Sequence, residues 1–217
     1  MAAALMEDLG AVGGLEVAAL RDCRLAPLRP PDSGEIPVQS AEQALLRFDQ
    51  EAARADWTIL IAPEFSGHLL SRCRRVLAAG GRLLGPEPPV VELASDKQRT
   101  AEHLATAGVP VVQGRELAGG DPLPADFPYP AVLKPRFGAG SLGVKLIGSP
   151  QHPAPYDPAE AQWRLEAYRP GFAASVMFFC GPGRQVALPP CRQHLSDDGR
   201  FAYLGGSLPL PDALAAR

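Results

Sequence analysis

A glycine-rich loop, Gly138-Ala139-Gly140-Ser141-Leu142-Gly143, lies between two short apolar runs, AVLKP (131–135) and VKLIG (144–148). This placement fits two common nucleotide folds poorly. A dinucleotide fingerprint needs its glycines after the first strand and at the start of a helix, and a P-loop ends in Gly-Lys-Ser/Thr. The loop here does neither, so it is expected in a turn between two strands of a sheet. Closely spaced glycines let backbone N–H groups turn toward an anion without obstruction by Cβ, which suits phosphate. Taken alone, the loop reads first as an ordinary hairpin turn.

Lysine usage points to the same stretch. Of 21 basic residues only Lys97, Lys134 and Lys145 are lysines, and the chain contains no Asn. In a composition drifting toward Arg and Ala, lysines that survive beside a glycine loop stand out, although each alone reads as surface decoration. Lys134 precedes the loop on a strand, and Lys97 sits near the N-terminus of a helix. Two ammonium groups and the loop could together neutralise a triphosphate.

The remaining composition narrows the class. The chain has 217 residues, with 46% hydrophobic and 21% charged residues and a formal net charge of −3. Such a chain buries a core and has no general attraction for nucleic acid or anionic bilayers. No window approaches the ~18 apolar residues of a membrane span, and the N-terminus lacks the pattern of a signal peptide. Cys23, Cys73, Cys180 and Cys191 form no C-x-x-C pair, so they read as structural thiols and neither zinc nor a redox pair is expected. A reducing, cytoplasmic location is the expectation.

Periodicity divides the chain. Residues 2–11 read as a helix, 15–20 as a strand, and Ser40 caps a helix through about Ala55. TILIAP (58–63) suits a buried parallel strand. A helix then ends on Gly80-Gly81, and RLLGP reads as a short strand. This alternation implies a small doubly wound α/β sheet over residues 1–93, whose usual first strand would precede Met1. From Ser95 the pattern becomes α+β. A helix capped by Ser95 or Asp96 ends at Gly108; VPVVQ (109–113) reads as a strand; AVLKP and VKLIG flank the loop. QHPAPYDPAEA (151–161) is a Pro-rich loop. FAASVMFFC and RQVALPPCRQHL then read as an antiparallel pair joined at Gly181-Pro182-Gly183, and DALAAR as the first turns of a helix.

The order of features, S-D-K on a helix, L-K-P on a strand, a glycine turn, then L-E-x-Y-x-P-G, resembles the ATP-grasp superfamily of carboxylate–amine ligases. The resemblance covers the chain from about Leu15 onward. It implies an N-terminal domain at 1–93, a lid subdomain at 94–165, and a hinge with an incomplete C-terminal antiparallel sheet at 166–217. It also implies that Lys97 and Lys134 hold the phosphates of ATP, that Gly138, Ala139, Gly140, Ser141 and Gly143 form the mobile lid loop, and that Glu166, Ala167, Tyr168 and Arg169 form the adenine hinge. ILIAPEF (59–65) and the run from Leu188 to Leu210 look like the tyramine–glutamate ligase branch, active in methanofuran-type cofactor synthesis. In that branch Arg192, Gln193, Gly205 and Gly206 border the acceptor site.

Two departures from the family pattern shape the functional expectation. Phe172-Ala173-Ala174-Ser175 stands where an acidic residue often contacts the ribose. The Mg²⁺ ligands of the family, acidic residues and an Asn on late strands, have no counterpart, so no metal ligand is expected within the chain and those ligands are expected beyond Arg217. The first reading is an ADP-forming ligase acting on a carboxylate and an amine through an acyl phosphate. The alternative is an ATP-binding fragment or interaction module without turnover. VMFFC (176–180) is expected to lack cover, which favours self-association and is compatible with a homodimer.

Overall fold

The computed structural model describes residues 2–27, 34–63, 65–152, 156–157 and 160–211. The chain divides into two units, Met1–Glu92 and Leu93–Arg217.

In the first unit, α1 (Ala2–Gly10) is followed by β1 (Ala19–Asp22) and β2 (Glu35–Val38), which pair in parallel. Helix α2 (Ala41–Arg54) begins where expected, because the Ser40 side chain accepts the Gln43 amide and satisfies one of the free donors of the first turn. Helix α3 (His68–Ala78) places Arg75 against Asp49 of α2, with Nε 2.9 Å from the carboxylate. Helix α4 (Pro88–Ser95), which sequence periodicity missed, runs across the division between the units.

Three expected strands differ. The first begins at Ala19 instead of Leu15, which is exposed. TILIAP and RLLGP contribute only a single parallel bridge, Thr58 to Leu83. Ile59 and Ile61 are exposed, so the run lacks the cover on both faces that a buried parallel strand requires. The parallel order of the doubly wound expectation is therefore present as one strand pair and one bridge.

The second unit opens on α5 (Lys97–Thr106) and continues into a four-stranded antiparallel sheet. Its strands are β3 (Gly114–Ala118), β4 (Ala131–Pro135), β5 (Lys145–Ile147) and β6 (Gln162–Ala167), in spatial order β3-β6-β4-β5. VPVVQ is not a strand; pairing with β6 starts at Gly114, just beyond it. Pro110 has no N–H to contribute to a ladder there. The border at 165/166 implied by the family pattern falls inside β6.

Side chains alternate across this sheet. Trp163, Leu165 and Ala167 face Leu117, Leu133, Ala131 and Ile147 in one core, joined by Leu123 and Phe127. Trp163 Nε1 donates to the Glu160 carbonyl at 3.0 Å, so the buried indole keeps a polar partner. Tyr156 packs edge-on against Trp163 with ring centroids 5.4 Å apart. The rest of the expected Pro-rich loop lies partly outside the described residues, at 153–155 and 158–159.

Beyond the four-stranded sheet, the expected antiparallel pair is present but interrupted. β7 (Ala174–Ser175) pairs with β10 (Cys191–Leu195), whereas β8 (Phe178–Gly181) pairs with β9 (Arg184–Ala187). Pro189 and Pro190 break the ladder between them. β11 (Tyr203–Ser207), unforeseen because of Gly205 and Gly206, completes a three-stranded sheet on β10. Val176, Met177, Phe178 and Phe179 are all exposed, as expected of VMFFC. The terminal helix expected at DALAAR lies outside the described residues beyond Pro211. The four cysteines are free thiols, with Cys73 buried.

Candidate functional site

Asp96 fixes the start of α5. Its carboxylate accepts the amides of Gln98 and Arg99 at 3.0 and 3.1 Å, an N-cap. The same carboxylate takes both arms of Arg136, from Nε at 2.9 Å and from an η nitrogen at 2.7 Å. The cap is thus Asp96, not Ser95. Burial raises the Asp96 pKa, but the Arg136 guanidinium and the two amides outweigh it and hold the carboxyl below its usual range. Arg136 also meets Glu116 of β3 at 2.5 Å. One arginine therefore ties the helix N-terminus to the sheet.

This tie places the first residue of α5, Lys97, beside the glycine loop. Its Nζ donates to the Gly138 carbonyl at 2.7 Å, and its amide donates to the Arg136 carbonyl at 3.1 Å. Between α5 and the polar face of the sheet lies a hollow of about 280 Å³. Lys97, Lys134, Arg164 and Glu166 line its polar side, and Leu104, Val111 and Val112 are among its apolar lining.

The charged groups of the hollow come from alternation on adjacent strands. Lys134 of β4 lies opposite Arg164 of β6, and Glu166 follows two residues on, so all three share one face. Glu166 Oε2 accepts Lys134 Nζ at 2.5 Å, and Oε1 accepts Arg164 Nε at 2.7 Å. Burial pushes the Glu166 carboxyl up, yet the two cations outweigh it and the net shift is downward. Arg164 is only 3% exposed, and it also donates to the side-chain carbonyl of Gln98 on α5.

The glycine loop takes the backbone forms that its composition allows. Gly138, Gly140, Ser141 and Gly143 all have positive φ, between 62° and 93°. A Cβ at Gly138 or Gly140 would meet open space, whereas at Gly143 it would come within 2.9 Å of the Pro135 ring. Gly143 is therefore required by packing as well as by φ. Ser141 Oγ donates to the Phe201 carbonyl at 2.7 Å. Ala139 is exposed in the same turn.

The expected hinge is partly committed within the protein. The Ala167 amide donates to the Gln113 carbonyl at 2.9 Å and the Tyr168 amide to the Pro130 carbonyl at 3.0 Å. The Ala167 side chain belongs to the apolar core, and the Tyr168 ring lies 5.9 Å from that of Phe201. Arg169 is exposed, and among the described residues its amide has no hydrogen-bond partner. Arg192 and Gln193 sit apart from the hollow, on β10. Arg192 stacks over Phe172 at 5.1 Å, and the Gln193 amide donates to the Ala173 carbonyl at 2.8 Å.

Sequence reasoning missed Arg164, Gln98, Arg136 and Asp96 as one connected set. The available signal was period-2 alternation, W-R-L-E-A, which sets two charges among three apolar residues on a strand with a fully buried core face. Among the described residues no group of three or more His, Cys, Asp or Glu is placed to hold a metal ion.

Residues 15–91 match the model of the pre ATP-grasp 3 domain, and residues 94–217 match that of the ATP-grasp domain. Biotin carboxylase of Halalkalibacterium halodurans is 35% identical over 79 residues, covering 34% of this chain and 18% of that protein. D-alanine–D-alanine ligase of Gluconobacter oxydans is 47% identical over 60 residues, covering 25% of this chain and 18% of its own length. The biotin carboxylase domain of Hydrogenobacter thermophilus 2-oxoglutarate carboxylase superposes with a TM-score of 0.74 at 18% identity, covering 99% of this chain and 53% of that one. At that identity the likeness is one of fold. The chain spans less than a fifth of these two curated relatives and about half of the structural neighbour.

Proposed function

The chain belongs to the ATP-grasp family, and from that premise we propose that its second unit binds ATP in the hollow between α5 and the sheet and serves an ADP-forming ligase reaction. The observation that carries this reading is the meeting of Lys97, Lys134, Arg164 and Glu166 around one hollow, with the glycine loop tied to Lys97. Three cations against one carboxylate leave an excess of positive charge, which suits a polyphosphate. The open Cβ positions at Gly138 and Gly140 suit close approach of backbone to phosphate oxygens. The Arg169 amide is the hinge donor left for an adenine edge, and Leu104, Val111 and Val112 supply apolar lining of the hollow.

In this reading Lys97 and Lys134 orient the phosphates and draw charge from the transferring γ-phosphoryl group, while the glycine loop covers it and excludes water. The γ-phosphate passes to a substrate carboxylate, giving an acyl phosphate and ADP. An amine then attacks the acyl carbon, a C–N bond forms, and phosphate leaves. The structural neighbour from Hydrogenobacter was crystallised as a dimer with MgADP, ADP and bicarbonate, which supports nucleotide and a small carboxylate-like substrate as ligands and admits a homodimer. Mg²⁺ finds no fitting donor set among the described residues: Glu166, the acid of the hollow, is taken by Lys134 and Arg164. No step is assigned to it.

Glutamate and tyramine are the substrates to try first, on the resemblance carried by ILIAPEF and by the segment holding Arg192 and Gln193. A coupled ADP-release assay with Mg-ATP tests the reaction. Release that depends on both a carboxylate and an amine supports the ligase. Nucleotide binding with no release under any such pair would leave a binding module instead.

A further inference from the structure

Arg164 is the most deeply buried charge in the hollow, and the reading above counts its charge but assigns it no contact with the nucleotide. Its guanidinium donates from Nε to Glu166 and from an η nitrogen to Gln98. Its other η nitrogen lies over Gly114, where a Cβ would stand 2.2 Å away. Gly114 has an ordinary β-strand place opposite Glu166 and no positive φ, so the missing side chain there makes room for the guanidinium.

The charge arithmetic shows why a second cation on Glu166 matters. Lys134 and Glu166 alone form a neutral, half-buried pair, and an ammonium held that way has its charge spent before any phosphate arrives. With Arg164 on Oε1, the carboxylate keeps a partner when Oε2 is released. Leaving a buried carboxylate with no partner is strongly unfavourable, whereas exchanging one of two partners is not.

We propose that Arg164 is a positioning residue that retains Glu166 and thereby lets Lys134 change partner, from the Glu166 carboxylate to the phosphate of the nucleotide. The inference rests on the ATP-binding reading above. Lys134 is then a switched group, paired with Glu166 in the ligand-free chain and with phosphate in the complex. Gln98 and the bare Cα of Gly114 hold the guanidinium so that it does not follow.

A double-mutant cycle read by calorimetric titration of ATP, with melting curves on every variant, tests this. Arg164→Met is expected to weaken ATP binding at least tenfold, and Arg164→Lys, which keeps the charge and loses the fork, by about threefold. Glu166→Gln alone is expected to bind severalfold tighter than the parent, because the competing carboxylate is gone. Adding Glu166→Gln to Arg164→Met is expected to restore affinity to within about threefold of Glu166→Gln. A purely structural Arg164 would give no such rescue, and a double variant as weak as Arg164→Met overturns the proposal. If Arg164→Met does not fold, the cycle is run with Arg164→Gln, which also removes the charge, and decides in the same way. A parent chain that binds no ATP overturns the ATP reading itself, and this inference with it. ATP binding unchanged in folded Arg164→Met overturns only the inference.

Discussion

The four-stranded sheet of the second unit carries two faces built from the same strands and the same register. On one face Trp163, Leu165, Leu133, Ala131 and Ile147 are buried to the last few per cent, and their cost and benefit are those of apolar packing. On the other, Lys134, Arg164 and Glu166 stand among Arg136, Glu116 and Asp96, and every carboxylate there has a cationic partner. The first face could lose its identity to any well-packed apolar set, because packing is non-directional. The second could not, because its geometry depends on which charge meets which. Apolar packing occupies one side of β6 and the charged groups of the proposed site the other, one residue apart.

Removing the indole of Trp163 should break the apolar face. Trp163→Ala is expected to cost about 3–5 kcal/mol, measured by denaturant unfolding. A loss under about 1 kcal/mol would mean that this core is not what holds the sheet together. On the charged face, Asp96→Ala removes the cap of α5 and leaves Arg136 with Glu116 alone, at a cost of about 3 kcal/mol. Asp96→Asn keeps the cap acceptor and loses the charge, and should cost about half of that, its own loss reporting the ion pair and the remainder the cap. Equal losses in both variants would show that the cap contributes nothing, and an Asp96→Asn variant as stable as the parent would show that the charge contributes nothing.

Acid should separate the faces without mutation. Asp96 and Glu166 are both held below their ordinary values, so the folded chain binds fewer protons than the unfolded one at mildly acid pH. Their contribution is complete above the unfolded values near 4 and is lost as pH falls through the lower folded values. Melting temperature is expected to stay level from pH 7 to pH 5 and to fall below about pH 4. A shallower acid limb in Asp96→Asn is expected, and an unchanged limb would remove Asp96 from the account.

The smallest effect is expected far from both faces, on the exposed β8–β9 hairpin. Phe179 is 61% exposed, so Phe179→Ser should change stability by no more than about 0.5 kcal/mol while reducing association in sedimentation. A large loss of stability would show that Phe179 is covered in solution.

Much of this arrangement was legible in the chain. Ser40 and Asp96 mark their helices because a short acceptor side chain satisfies amides that nothing else reaches. AVLKP reads as a strand because its alternation matches a half-buried ladder, and Lys134 stands out through lysine scarcity. TILIAP and VPVVQ misled for one reason: apolar runs report a tendency to be buried, and the neighbour strands that would pair with them are a tertiary matter. Arg164 escaped notice because nothing local distinguishes a buried arginine from an exposed one. Its place is set by Gly114, Gln98 and Glu166, which come from three separate elements.

On the reading proposed here, the charged face binds a nucleoside triphosphate through Lys134. Calorimetric titration of ATP into the parent chain and into Lys134→Ala, with melting curves to show that both are folded, tests it directly. Saturable binding by the parent and a loss of at least tenfold in Lys134→Ala is the expected result, since the variant removes a charge-assisted phosphate contact. Equal affinity in the two folded proteins would contradict it.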